Sequence, residues 1–262
     1  MSPPMAALRT TLRVGRLALA TLLWFAAFVT CAAVWPSKKR RDRLRDRVLH
    51  RWSRSVLRIL CVRVQVDGEI GGGGGLLVAN HLSYLDVPVF ASLLPVSILS
   101  KSDVASWPVL GWLARAIGIQ FVVREDKRAL PLVAARLHDE VRRGHDVLFF
   151  PEGTSSSGAS VLPFRPALLA PAAEARLPVR HAAIRYATPP GCPAASLAVC
   201  WWGTMTFLPH ALGVLRLPWI EAHVRFGREP VRDDDRKRLA KALQTGVERD
   251  LAAMAVVGPT AP

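Results

Sequence analysis

From Leu17 to Trp35 the chain carries no charged residue. A helix of that length is about what the hydrocarbon core of a bilayer requires. Pro36 ends the run, and the sequence KKRRDRLRDR, Lys38 to Arg47, follows at once. Any fold must therefore screen one apolar helix from water with a dense cationic segment directly behind it. Dense positive charge resists translocation and holds its side in the cytoplasm, which favours a retained membrane helix, spanning or re-entrant. A cleaved export signal is the competing reading, but its apolar core is usually shorter. A lipoprotein signal ending at Cys31 is poorly matched by Phe28-Val29-Thr30. The basic segment then continues to about Leu60 as an amphipathic helix. Leu44, Val48, Leu49, Trp52, Val56, Leu57 and Leu60 recur there at helical spacing between arginines. Such a helix either lies on anionic headgroups with Trp52 at the interface or packs its apolar stripe on a folded domain.

The net charge of +15 calls for an anionic partner, either nucleic acid or a membrane surface. With 51% hydrophobic and only 21% charged residues, the membrane is the expected partner and nucleic acid is not. Cys31, Cys61, Cys192 and Cys200 form no C-x-x-C pair and no zinc spacing, so they read as free thiols in a reducing compartment. His138, His145, His181, His210 and His223 likewise show no metal-ligand spacing, and no metal site is expected.

After the basic helix, short β-like runs alternate with helical stretches. Residues 62–66, 76–80, 96–100, 119–123, 146–150, 178–186, 196–201 and 221–226 read as strands. Residues 108–117, 130–143, 165–175 and 233–254 read as helices, the last opening on Asp233-Asp234-Asp235. This alternation predicts an α/β fold with a mixed central sheet flanked by helices, behind an N-terminal membrane helix and an amphipathic basic helix. Residues 1–60 read as the anchoring segment and 61–262 as the α/β domain. The glycines Gly71 to Gly75 lack the Lys-Ser/Thr of a phosphate loop and read as a flexible turn.

Candidate chemistry concentrates in a few segments. His81 stands at a strand end, with Asp86 five residues later. On one continuous helix the two would diverge, so His81 must precede the helix that carries Asp86. A turn there lets the carboxylate hold one imidazole nitrogen while the other takes a proton from a hydroxyl. Taken alone, such a pair near a turn is more often structural. Phe150-Pro151-Glu152-Gly153-Thr154-Ser155 makes a polar turn after a strand, where open α/β sheets place ligands. Arg124 ends another predicted strand and Arg165 starts a predicted helix. Two arginines with backbone N–H groups would bind a phosphate.

In order and spacing, these segments resemble the glycerolipid acyltransferases, the family of 1-acylglycerol-3-phosphate acyltransferases. N-H-x4-D at Asn80 to Asp86 is similar to the first block of that family, and G-I-Q-F-V-V-R at Gly118 to Arg124 to the second. F-P-E-G-T-S at Phe150 to Ser155 is similar to the third, and Leu177-Pro178-Val179 falls at the fourth. The resemblance implies His81 as general base and Asp86 as its orienting partner. It implies Arg124, Glu152, Gly153, Thr154 and Arg165 as the residues around the acceptor. The reaction implied is transfer of a fatty acyl group from an acyl thioester to the free hydroxyl of a lyso-lipid, in membrane lipid biosynthesis. No bound cofactor is implied; acyl-CoA or acyl-carrier protein would be the donor. The cytoplasmic face of the cell inner membrane is the implied location.

Three departures bear on the headgroup. Ser155-Ser156 stands where the third block often continues with arginine, Arg165 replaces a usual lysine, and His181 replaces a common proline of the fourth block. The run from Phe150 through Leu169 and the later Trp202 to His210 resemble the branch that acylates lyso-ornithine lipids. Lysophosphatidate and lyso-ornithine lipid both stand as acceptors on this reading. A non-catalytic basic membrane-associated protein is the alternative from another class, and it predicts salt-dependent binding without thioester consumption. A hydrolase is disfavoured because no G-x-S-x-G elbow supplies a nucleophile.

Overall fold

Helix α1 (Pro3–Val34) and helix α2 (Lys38–Ile59) pack against each other. Two tryptophans bond across the pair: Trp52 Nε1 donates to Thr21 Oγ1 at 3.1 Å, and Trp24 Nε1 to Ser55 Oγ at 3.2 Å. The computed structural model describes residues 3–34, 37–71, 74–101, 120–122, 140, 144 and 146–256. The helix expected over 108–117 lies outside the described residues, as do His138 and His145; of the one expected over 130–143, Glu140 is described and is helical.

Helix α2 is amphipathic as its spacing predicts, with Leu49, Val56, Leu57 and Leu60 buried in the main core. Its opposite face exposes Arg40, Arg43, Arg47, Arg51, Arg54 and Arg58, one per turn. Helix α1 is divided too. Leu8, Leu12, Leu19, Leu22, Leu23 and Val29 are exposed on one side. On the other, Arg13 is buried and donates to the carbonyls of Leu215 at 3.0 Å, Leu217 at 2.5 Å and Pro218 at 3.0 Å.

The described strands are β1 (Val62–Asp67), β2 (Gly75–Ala79), β3 (Val96–Lys101), β4 (Gln120–Val122), β5 (Asp146–Phe149), β6 (Val179–Ala187) and β7 (Ile220–Phe226). They form one mixed sheet in the order β1-β7-β6-β2-β5-β3-β4. Only β6 and β7 pair antiparallel; the other neighbours are parallel. The central strands are covered on both faces, which is why they read as unbroken apolar runs. Leu77, Ala79, Leu148 and Ile184 face the layer that contains α2 and α3 (Asp86–Leu93). Leu76, Val78, Val147, Val179 and Ala183 face Leu239, Leu243 and Val247 of α7 (Arg236–Val256). The α/β fold read from the sequence is the one present. The acidic start of the last helix is also used, since Asp235 Oδ1 accepts from the Lys237 and Arg238 N–H groups at 2.8 Å each.

One predicted strand is absent. Residues 196–201 do not join the sheet; Ala195–Ala198 form the short helix α5 instead. Pro193 precedes an alanine-rich stretch that has good helix formers and no strand-like alternation. The predicted helix at 165–175 becomes a 3-10 turn, Pro166–Leu169, running into α4 (Ala170–Glu174). A further helix, α6 (Phe207–Arg216), lies where no element was expected, and its C-terminal end is the one Arg13 holds.

Candidate active site

The parallel strands β2, β5 and β6 lie side by side, so their carboxyl ends open on one edge of the sheet. Ligands favour that edge in α/β folds. At the end of β2 the buried Asn80 prolongs the ladder with its side chain. Its Nδ2 donates to Ile184 O at 2.9 Å, and Ile184 N–H donates to its Oδ1 at 2.8 Å. The amide thus stands in for a backbone step and fixes the point where the chain leaves the sheet. His81 follows, then a tight turn, then Asp86 as the first residue of α3.

The turn brings the two side chains together. His81 Nδ1 lies 2.7 Å from Asp86 Oδ2. That same oxygen accepts the Leu82 N–H at 2.7 Å and the Ser83 N–H at 3.0 Å, so the carboxylate caps its own turn. Its other oxygen, Oδ1, accepts the Tyr186 hydroxyl at 2.8 Å. Asp86 is fully buried, and four donors compensate its charge. A carboxylate at Nδ1 requires a proton there, which leaves Nε2 as the basic nitrogen of the neutral ring. The imidazole stacks on Phe150, with ring centroids 4.1 Å apart and planes at 14°.

The turn after β5 lies against this pair. Ser156 N–H donates to His81 O at 2.9 Å, and Gly153 N–H to Phe150 O at 3.1 Å. Gly153 sits at φ 76°, which only glycine adopts without strain. Glu152 is buried, and among the described residues neither carboxylate oxygen has a hydrogen-bond partner of standard geometry. Burial pushes its carboxyl up to about 8, against the pull of the nearby Leu162 and His81 backbone N–H groups. Thr154 is exposed. Arg165 is exposed as well, but its backbone N–H donates to Pro151 O at 2.9 Å, which sets it beside the turn. Arg124 lies outside the described residues.

A third segment, whose residues carried no expected site role, braces both. Trp201 N–H donates to Leu82 O at 2.8 Å, and Ser155 Oγ donates to Trp201 O. Tyr84 OH pairs with His210 Nδ1 at 3.1 Å, while His210 Nε2 meets Cys200 O at 3.0 Å. A carbonyl at Nε2 demands the N–H there, so the phenol donates to Nδ1. Sequence reasoning also missed Asn80 as a clamp and Tyr186 as a partner of Asp86. The asparagine had a signal, its place in N-H-x4-D; the tyrosine had none.

His181 is not at this edge. It shares the β6 face of Val179 and Ala183 and points at α7, where Nε2 lies 3.1 Å from Asp250 Oδ2. This departure from the fourth block therefore lies away from the His81–Asp86 edge. Among the described residues, no group of three His, Cys, Asp or Glu side chains is placed to hold a metal ion.

Comparison with known proteins gives the site a context. A family model described as Acyltransferase matches residues 61–185. The chain is 35% identical over 266 residues, 98% of each sequence, to the lyso-ornithine lipid O-acyltransferase of Pseudomonas aeruginosa. It is 34% identical over 144 residues to the 1-acyl-sn-glycerol-3-phosphate acyltransferase of Neisseria meningitidis serogroup B, covering 54% of this chain and 56% of that one. Among solved structures, the 1-acyl-sn-glycerophosphate (LPA) acyltransferase PlsC of Thermotoga maritima superposes with a TM-score of 0.71 at 17% identity, covering 98% of this chain and 100% of that one.

Proposed function

This chain belongs to the glycerolipid acyltransferase family, and from that premise we propose that it acylates the free hydroxyl of lyso-ornithine lipid, with His81 as general base. The observation that carries the chemistry is the 2.7 Å contact between His81 Nδ1 and a fully buried Asp86. Nε2 takes the hydroxyl proton as the oxygen attacks the thioester carbonyl. The C–S bond breaks as the ester forms, and the proton held on His81 passes to the departing thiolate. The free thiol of coenzyme A or of an acyl-carrier protein leaves with it. A thioester is already activated, so no metal or redox group enters this scheme.

The acceptor rests on two supports. The likeness to a lyso-ornithine lipid O-acyltransferase runs from end to end, whereas the likeness to the Neisseria 1-acylglycerol-3-phosphate enzyme covers about half the chain. In addition, Ser155 and Ser156 spend their donors on Trp201 O and His81 O, bracing the site rather than clamping a phosphate. Arg165, Thr154 and, by resemblance, Arg124 would then meet the headgroup, with Glu152 and Gly153 shaping the turn beneath. The reaction would occur at the cytoplasmic face of the inner membrane, with residues 1–60 as the anchoring segment.

The test presents labelled acyl-CoA or acyl-carrier protein, in membranes, with lyso-ornithine lipid and with 1-acylglycerol-3-phosphate in separate assays. Label should enter ornithine lipid, and His81→Ala should reduce transfer about 10²- to 10⁴-fold. Transfer to 1-acylglycerol-3-phosphate alone would overturn the acceptor, and undiminished transfer by folded His81→Ala would overturn the base.

A further inference from the structure

Tyr186 lies one hundred residues from Asp86 in the chain, yet its hydroxyl is 2.8 Å from Asp86 Oδ1. The three remaining donors to that carboxylate, including His81, all converge on Oδ2. Tyr186 is the one partner of Oδ1 among the described residues, and both groups are buried. Two residues earlier on the same face of β6, the Ile184 backbone pairs with Asn80 on both its donor and its acceptor. One strand thus grips both ends of the His81 turn, at Asn80 before it and at Asp86 after it. Tyr186 is held rigidly in turn, because its ring packs in the main core and its strand pairs antiparallel with β7 through Ala222.

We propose that Tyr186 is a positioning residue that fixes the Asp86 carboxylate and lowers the basicity of His81. This rests on the reading of His81 as the base. A phenol that donates to Oδ1 draws negative charge away from the carboxylate, so Asp86 stabilises an imidazolium at His81 less than it otherwise would.

The surrounding titratable groups leave His81 free to report this. His81 and Tyr84 come from the turn, Glu152 from the loop after β5, Tyr186 from β6, and Cys200 from the segment before Trp201. Burial pushes the Cys200 thiol up to about 12 and both phenols well above their ordinary range, so these stay protonated. The Glu152 carboxyl, pushed up to about 8, titrates on the alkaline side. His210, held below its ordinary value by burial, touches Tyr84 rather than the carboxylate.

Tyr186→Phe keeps the ring and removes only the donor. In kcat/KM against pH, its acid limb should move to higher pH by about half a unit to one unit. The rate at neutral pH should fall about tenfold, the scale of one hydrogen bond to a charged group, with the loss in kcat and little change in KM. A second measurement guards against a folding defect. The sequence holds only two tyrosines, so fluorotyrosine incorporated into a Tyr84→Phe background labels Tyr186 alone. A fluorinated phenol is a stronger donor, and the acid limb should then move to lower pH than in the unlabelled background. Shifts of opposite sign in the two experiments establish the assignment. Should folded Tyr186→Phe and the fluorinated protein both keep the parent profile while His81→Ala is inactive, Tyr186 is only structural. Should His81→Ala stay active, the base reading fails first and this inference falls with it.

Discussion

At Glu152 the residue scale yields a pH prediction. Its carboxyl has an ordinary value of 4.5 and is pushed up to about 8 by burial. Below 4.5 the group is protonated whether the chain is folded or not. Between these values the folded protein keeps a proton that the unfolded chain releases, so the stabilising contribution is progressively lost as pH rises through about 8. Glu152→Gln has no proton to lose. Its melting temperature relative to the parent should therefore climb steadily from pH 5 to pH 8, as scanning calorimetry would register; a constant difference would mean the side chain is already ionised in the fold. The same few residues mark what could be read from the chain. The five-residue step from His81 to Asp86 requires a turn followed by a helix, and that constraint is local. The contact from Tyr186 to Asp86 is made by the sheet, and no local pattern couples those positions. Arg165 and Thr154 are exposed, in keeping with polar side chains after a strand, but a sequence carries no burial, and so it did not disclose that Glu152 faces inward.

Strand β6 is where the element scale decides function. Its alternation places Ile184 and Tyr186 toward the dyad and His181 toward α7. Both faces are buried, so periodicity announces a strand without saying which face fronts the site. That ambiguity is why His181 drew attention as a headgroup residue although it lies across the sheet. The misread strand at 196–201 has a similar origin: a short apolar run suits either a strand or a helix, and its true use is a brace on Leu82. His181 fits because Gly227 and Gly246 present no side chain. A Cβ at Gly246 would come within 2.7 Å of the imidazole, and one at Gly227 would come closer still. Gly246→Ala should cost about 1–3 kcal/mol through overpacking. His181→Ala in the same chain should recover much of that loss, so denaturant midpoints of the double variant would depart from the sum of the singles. Strict additivity would show that the glycine is not there to seat the histidine.

For the whole molecule, the question is how an α/β domain meets a lipid substrate. The charge-free run predicts a helix that spans the bilayer or re-enters it. One face of α1 is engaged with protein, through Trp52 and Trp24 against α2 and through the buried Arg13 guanidinium that holds the end of α6. Inserting α1 alone would strip those donors of their partners, which is costly in hydrocarbon. The remaining face is bare, with Leu19 57% and Leu22 65% exposed, and α2, which packs on α1, carries its arginines on its own exposed face. An apolar stripe flanked by arginines suits a helix lying in one leaflet, with the guanidinium groups at the level of anionic headgroups. Burying one leucine contributes roughly 1.5–3 kcal/mol, so Leu19→Glu with Leu22→Glu should reduce partition into anionic vesicles by two orders of magnitude or more, to about 1% of the parent. The melting temperature in detergent should hardly move, because both side chains lie on the exposed face of α1. Flotation with labelled vesicles measures the first and calorimetry the second. A variant that floats as well as the parent would mean that the bare face is not the membrane contact. A variant that unfolds would mean that the stripe packs on protein after all.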